Sequence, residues 1–339
     1  MKPYVLATVF VALAAPAFAQ QAAAPPVREI IQIEGDLYRF QDNAHFGLFL
    51  ATDEGIIVVD PLNRGAAEWL AGELDTRFDV PVRYVLYTHH HADHASGAAV
   101  WPEATVVAHE IAKTALTPPA DGAPLTGQFA AADANGDGML QREEAPANMA
   151  ARFDTVDSSG DGVLSAPELF ASQFGETSIY GGVRVPDQTY SGAEHEVSLG
   201  GQTVRLVNVN ALHAPDSSLI VFPEQRVLFV ADIVNIKRLP FISPTGFSED
   251  DLDTITEAVL AQDFDLVVPG HGELGEREDV ERHRQYHRDV VAGVRAGIDA
   301  GQTLEQIQAS LPMEEYSDWS AFERHGQNVE GAYGYLTQN

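Results

Sequence analysis

The chain has 339 residues, 45% of them hydrophobic, enough for one large α/β domain and a small insert. Its 50 acidic residues against 20 lysines and arginines give a formal charge of −30. Such a surface repels nucleic-acid phosphates and anionic leaflets, which leaves small molecules as the expected partners, and the absence of cysteine excludes disulfides, thiolate metal sites and lipidated cysteines.

Residues 1–19 read as an export signal: Lys2 is a basic start, residues 5–15 are apolar, and Ala17-Phe18-Ala19 is a small-x-small cleavage site. The apolar run falls short of the roughly 20 residues that span a bilayer, so no membrane association is expected after cleavage. A periplasmic or secreted location follows. After an Ala/Pro-rich linker (20–26), β-branched and aromatic runs at 37–40, 46–51 and 56–59 predict strands, separated by polar turns. A helix is expected over 65–78, a strand over 82–87, another over 105–108, and a short helix over 110–116. The strands at 82–87 and 105–108 are expected to run parallel.

From about residue 117 to 179 the composition shifts to Ala, Gly, Asp and Pro. Strand patterns resume at 183–190, 194–199, 203–209, 218–222 and 226–230. A helix over 250–261, a strand over 265–268 and a long helix over 277–300 complete the pattern. Two strand-rich halves with helices predict two packed sheets with helices outside, interrupted by an insertion. The expected division is a first catalytic part at 28–117, an insertion at 118–179 and a second part at 180–339.

The strongest chemical signal is Tyr87-Thr88-His89-His90-His91-Ala92-Asp93-His94, directly after a buried-type strand. In an extended segment residues i and i+2 point the same way, so His89 and His91 can grip one metal while His90 and Ala92 face elsewhere. Asp93 and His94 follow at the turn and can reach a second. Imidazole and carboxylate without thiolate suit zinc, with manganese or iron as alternatives.

His-x-His-x-Asp-His after a strand resembles the signature of the metallo-β-lactamase superfamily, and the rest of that pattern follows in order. Asp60 ends Ile56-Ile57-Val58-Val59, His213 stands in Ala211-Leu212-His213-Ala214-Pro215-Asp216-Ser217, Asp232 ends Val227-Leu228-Phe229-Val230-Ala231, and His271 stands in Pro269-Gly270-His271-Gly272. The resemblance implies an αββα sandwich with two metals, one held by His89, His91 and His213. The other would be held by Asp93, His94 and His271, with Asp232 bridging and Asp60 orienting the histidine loop without being a ligand. Such a pair, ~3.5–4 Å apart, can share a hydroxide whose parent water titrates near 7, and Asp93 can orient it and take its proton. His109, His195, His283, His287 and His325 lie outside the pattern and are read as solvated or locally hydrogen-bonded; His45 is left without a role.

β-Lactamases of this fold generally lack the bridging aspartate, so Asp232 points to the ester, thioester and lactone hydrolases, with β-lactam hydrolysis the runner-up. A metal-dependent binding protein without turnover is the alternative of a different class. Lys237 and Arg238, just past Asp232, could hold a substrate anion or be ordinary loop charges.

Within the insertion, Asp133, Asn135, Asp137, Met139 and Glu144 occupy the ligand positions of a twelve-residue EF-hand calcium loop, with Gly138 at its sharp turn. The pattern returns 24 residues later as Asp157, Ser159, Asp161, Val163 and Glu168. Phe129 and Phe153 precede the loops and Leu140 and Leu164 hold the eighth positions, which predicts a paired module binding up to two Ca2+ beside the two expected Zn2+. The helix over 110–116 leads away from the metal-bearing face, so the insertion is expected to start well away from the metals.

Overall fold

The computed structural model describes residues 25–176, 178–244 and 246–338; the signal read over residues 1–19 lies outside them. In chain order the elements are β1 (Arg28–Glu34), β2 (Leu37–Asp42), β3 (His45–Thr52), β4 (Gly55–Val59), α1 (Arg64–Arg77), β5 (Val82–Leu86), α2 (Ala92–Ala95), β6 (Thr105–His109) and α3 (Glu110–Leu116). The insertion carries α4 (Gly127–Ala132), β7 (Leu140–Gln141), α5 (Ala147–Ala150), α6 (Phe153–Val156), β8 (Val163–Leu164) and α7 (Ala166–Phe174). There follow β9 (Gln188–Tyr190), β10 (Glu194–Leu199), β11 (Gln202–Asn208), β12 (Ser218–Phe222), β13 (Val227–Ala231) and α8 (Glu249–Leu260). The chain ends through β14 (Leu266–Pro269), α9 (Arg277–Asp299), α10 (Leu304–Ser310) and α11 (His325–Thr337).

Two sheets form the centre. One has the order β1-β2-β3-β4-β5-β6-β9, antiparallel as far as β4 and parallel from β4 onward; the other has the order β10-β11-β12-β13-β14, with only β13 and β14 parallel. β5 and β6 run parallel, as expected from the sequence. β4 shows why these runs become central strands: all five residues are buried, Ile56 and Val58 on one face, Ile57 and Val59 on the other. The second face meets Leu206, Ile220, Phe222 and Phe229 of the partner sheet, forming the core between the sheets. The first face packs under α1 and α3 through Leu70, Leu74, Ala112 and Leu116. On the far side, Ile255, Val259 and Val280 of α8 and α9 cover the second sheet, completing an α-β-β-α stack. Each fully buried aliphatic side chain contributes roughly 1.5–3 kcal/mol, which anchors the strand ends where the functional groups sit.

The insertion has its own apolar cluster of Leu125, Leu140, Met149, Phe153, Val156, Leu164 and Leu169, and its two short strands pair with Leu140 opposite Leu164. Two expectations need correction. The strand expected over 183–190 is confined to Gln188–Tyr190, because Arg184 donates to the carbonyls of Trp101 and Ala104 at 2.9 and 2.8 Å and Pro186 has no N–H for a ladder. β1 and the C-terminal helices α10 and α11 were not anticipated. No helix among the described residues is long and apolar enough to cross a membrane.

Candidate metal centre

The parallel strands deliver their C-terminal ends to one edge of the stack. Asp60 follows β4, Thr88 to His94 follow β5, Asp232 follows β13, and His271 comes two residues after β14; His213 lies in the loop between β11 and β12. Open α/β sheets hold their ligands at such carboxyl ends. The ligating atoms gather in two groups, each within 4.8 Å: His89, His91, His213 and Asp232, and Asp93, His94, Asp232 and His271. Asp232 belongs to both. Its Oδ1 lies 3.0 Å from Nε2 of His94 and 3.3 Å from Nε2 of His271, and its Oδ2 lies 3.6 Å from Nε2 of His213.

These donors fit metal cations. Nε2 of His213 faces Nε2 of His89 at 3.1 Å, close enough for one cation to take both nitrogens in place of the N–H···N bond that one tautomer allows. His94 Nε2 and Asp232 Oδ1 are buried 3.0 Å apart, and neither has an aligned hydrogen-bond partner among the described residues. Buried polar atoms without partners mark a missing interaction, and nitrogen and carboxylate donors without sulfur suit zinc or a related ion.

The surroundings fix each ring. His94 Nδ1 lies 2.9 Å from Asp60 Oδ2, while Asp60 also accepts from the Thr88 backbone N–H at 2.8 Å and its hydroxyl at 2.6 Å. The Thr88 hydroxyl is in turn 3.0 Å from His89 Nδ1, and His271 Nδ1 donates to the Ala44 carbonyl at 2.9 Å. Each such bond leaves the ring's other nitrogen directed at the centre. His90 turns away and meets the buried Asp216 at 2.7 Å, a partner the sequence reading did not identify.

Electrostatics follow from burial. Desolvation pushes the pKa of His89 well below its ordinary value and that of His91 down to about 4, so both rings are neutral and able to ligate. Burial also opposes a charge on His94, but the carboxylates of Asp232 and Asp60 more than reverse it and raise its pKa well above the usual value. A positive charge is favoured at that point. Burial would push Asp93 up, yet His271 and His45, whose Nε2 atoms lie 3.7 and 3.5 Å from its Oδ2, hold it well below the usual carboxylate range. His45, left without a role in the sequence, therefore borders the centre, its ring 4.6 Å from that of His271.

Close approach is also built into the backbone. A Cβ on Gly270 would meet His94 Cε1 at 2.8 Å and Asp232 Oδ1 at 2.9 Å, so only glycine lets β14 bring His271 this near.

The centre opens into a cavity of about 590 Å3. Arg238 lines it; Lys237 does not, and its ammonium points to Glu273, 3.6 Å away. His283 and His287 also line it and are buried, not solvated: Asn235 N–H donates to His283 Nδ1 at 3.4 Å, while His287 Nδ1 has no hydrogen-bond partner among the described residues. His109 accepts from the Ile111 N–H at the start of α3, and His195 stacks on Tyr190, as local roles predict. No described residue of the insertion lines the cavity. Its return path nevertheless brings Tyr180 near enough for Asp93 to raise the phenol's pKa, after burial.

A model of the Metallo-beta-lactamase superfamily matches residues 43–271. The 2,4-dinitroanisole O-demethylase subunit alpha of Nocardioides sp. (strain JS1661) is 27% identical over 280 residues, 79% of this chain; the chain spans 66% of that relative's length. Among solved structures, a metallo-beta-lactamase from Pontibacter korlensis is similar with a TM-score of 0.51 at 16% identity, over 76% of this chain and 98% of that one. VMB-1 gives a TM-score of 0.50 at 14% identity over 76% and 95%. A double mutant of the sec-alkyl sulfatase PisA1 gives 0.57 at 16% identity over 90% of this chain and 50% of that one. At these identities the solved structures speak for the fold alone.

Proposed function

The chain belongs to the metallo-beta-lactamase superfamily, and from that premise we propose that it is an exported two-metal hydrolase, zinc-dependent, acting on an ester, thioester or lactone-type small substrate. The observation that carries this reading is the shared carboxylate of Asp232, whose two oxygens face the two histidine groups. His89, His91 and His213 would hold one ion, and Asp93, His94 and His271 the other. The ions would supply an activated water and an electrophile for the substrate oxygen. Around them, Asp60 and the Ala44 carbonyl keep the imidazoles in ligating tautomers. Asp93, held anionic and partly exposed at the mouth, would orient the attacking water and take its proton, its charge supporting the first of these roles.

Asp232 also supports the choice of substrate, because a carboxylate there departs from the lactamase pattern. The named activity of the Nocardioides relative, O-demethylation of an aryl ether, adds carbon–oxygen cleavage as a related chemistry. Turnover by zinc-loaded protein on matched lactone, thioester, aryl ester, aryl methyl ether and β-lactam panels tests the reading. Ester or lactone turnover should dominate; dominant carbapenem or cephalosporin hydrolysis would replace it with the lactamase reading, and no turnover at all would favour a binding role.

The insertion is read as a calcium-binding EF-hand pair with a supporting role. In the first loop Asp133 accepts from the N–H groups of Gly136 and Gly138 at 2.8 and 2.9 Å, and Glu144 reaches back to Ala134 and Asn135. The second loop repeats this with Asp157 on Gly160 and Gly162 and Glu168 on Ser159. The paired leucines and the shared apolar cluster support a joined module.

A further inference from the structure

We propose that the metal-bearing cavity contains a second recognition site, in which Arg238 and Arg324 together take a carboxylate on the non-reacting part of the substrate. The inference rests on the hydrolase reading and names its substrate class: an ester-type compound with an apolar body and one anionic end.

Both arginines line the cavity that also contains Asp93, His213, Asp232 and His271. They come from distant segments. Arg238 lies on the loop after β13, and Arg324 closes a 3₁₀ turn, Phe322–Arg324, near the C-terminus. A short backbone ladder clamps the segments together: Ser320 N–H donates to the Lys237 carbonyl and Leu239 N–H to the Ser320 carbonyl, both at 2.9 Å. The pair is thus a product of the fold and not of neighbouring sequence.

Neither guanidinium has a hydrogen bond or an ion pair among the described residues. That is unusual in a chain with 50 acidic residues against 20 lysines and arginines. Many arginines elsewhere are matched, Arg226 with Asp263 and Asp265, Arg288 with Asp253 and Arg295 with Glu249, whereas these two face each other across the cavity with no carboxylate between them. Both cavity arginines are partly buried, so their charges are incompletely hydrated. Burial lowers the pKa of Arg238 and the charge of Arg324 lowers it further; Glu323 and Asp232 act the other way, but neither forms an ion pair with it. A bound oxyanion relieves the repulsion between the two cations and meets their planar forks bidentately.

The mouth supplies the rest of the preference. Phe241 and Leu212, 66% and 45% exposed, are among the few large exposed hydrophobics and both line the cavity. They offer apolar contact to the body of a substrate whose charged end reaches the arginines. Lys237 has no part in this, being drawn to Glu273.

Two measurements test the proposal on the metal-loaded protein. The first is phenol release from phenyl hydrogen esters of succinic, adipic and suberic acid against their methyl-capped counterparts. The second is calorimetric binding of 3-phenylpropionate against 3-phenylpropionamide. The wild type should prefer the free acid in both, and R238Q/R324Q should lose roughly tenfold or more of that preference, read as the ratio of free to capped ester within each protein. R238K/R324K, which keeps the charge, should restore part of it. A preference that is the same in wild type and R238Q/R324Q overturns the site, as does equal handling of free and capped esters. If no ester is hydrolysed but 3-phenylpropionate binding still depends on the arginines, the anion site stands and the hydrolase reading falls.

Discussion

Asp60 Oδ2 lies 2.9 Å from Nδ1 of His94, and both side chains are wholly buried. The carboxylate fixes the histidine's tautomer and leaves Nε2 facing Asp232. Its position is obtained against local preference, because Asp60 has φ +50° and Ala231, just before Asp232, has φ +43°. Non-glycine residues in that region cost of order 1–3 kcal/mol each, a cost sustained here by the buried strands on either side.

Asp60→Asn keeps the shape of the side chain and removes its charge. We expect metal affinity to fall roughly 10- to 100-fold with the fold intact. Competition against a chromophoric chelator reads this directly; unchanged affinity would show that Asp60 does not set His94.

Gly270→Ala places a methyl group 2.8 Å from His94 and 2.9 Å from Asp232, so one of them must move. The expected result is loss of metal from the Asp93–His94–His271 group and of most turnover, with an unfolding temperature lowered by only a few degrees. Full metal occupancy in this variant would contradict the packing argument.

His283 predicts an acid limb in stability. Burial lowers its pKa from 6.5 to about 4 in the folded chain, so the unfolded chain binds its proton more readily. The stabilisation is complete above pH 6.5 and is lost as the pH falls through the window from 6.5 to about 4, by an order-of-magnitude ~3 kcal/mol. Denaturant unfolding of wild type and His283→Gln across that window should show the variant with the shallower slope; parallel curves would mean that His283 does not titrate as its burial requires.

Replacing both Glu144 and Glu168 with glutamine should lower the unfolding temperature of the insertion and abolish its calcium-dependent stabilisation, with turnover changed modestly. Tyr180, on the return path close to Asp93, is the route by which the insertion could matter more. A large loss of turnover at full zinc occupancy and intact folding would show that calcium gates the centre.

The strands that form the core were legible because β4, β12 and β13 are almost wholly apolar runs, and most residues gathered at the metal centre because they stand just after a strand; His213, in the loop between β11 and β12, was legible only through its motif. β1 was not, since an edge strand with exposed Glu29, Gln32 and Glu34 lacks a continuous apolar signal. The anion site was half legible: Arg238 stands near Asp232 in sequence, but Arg324 is 86 residues further on and is brought beside it by tertiary contacts such as the ladder at Ser320. Asp216 has a local signal in Pro215-Asp216-Ser217, but its pairing with His90 spans 126 residues and depends on the fold. The burial of His283 and His287 depends on α9 closing over the cavity, which their own sequence neighbourhood does not reveal.

The central claim is that Asp232 joins two metal ions, and elemental analysis of purified wild type and Asp232→Ala tests it most directly. The wild type should hold close to two transition-metal ions per chain, and the variant should lose at least one together with most activity. A wild type that is fully active without transition metal, or an Asp232→Ala protein that keeps both ions and its turnover, would contradict it.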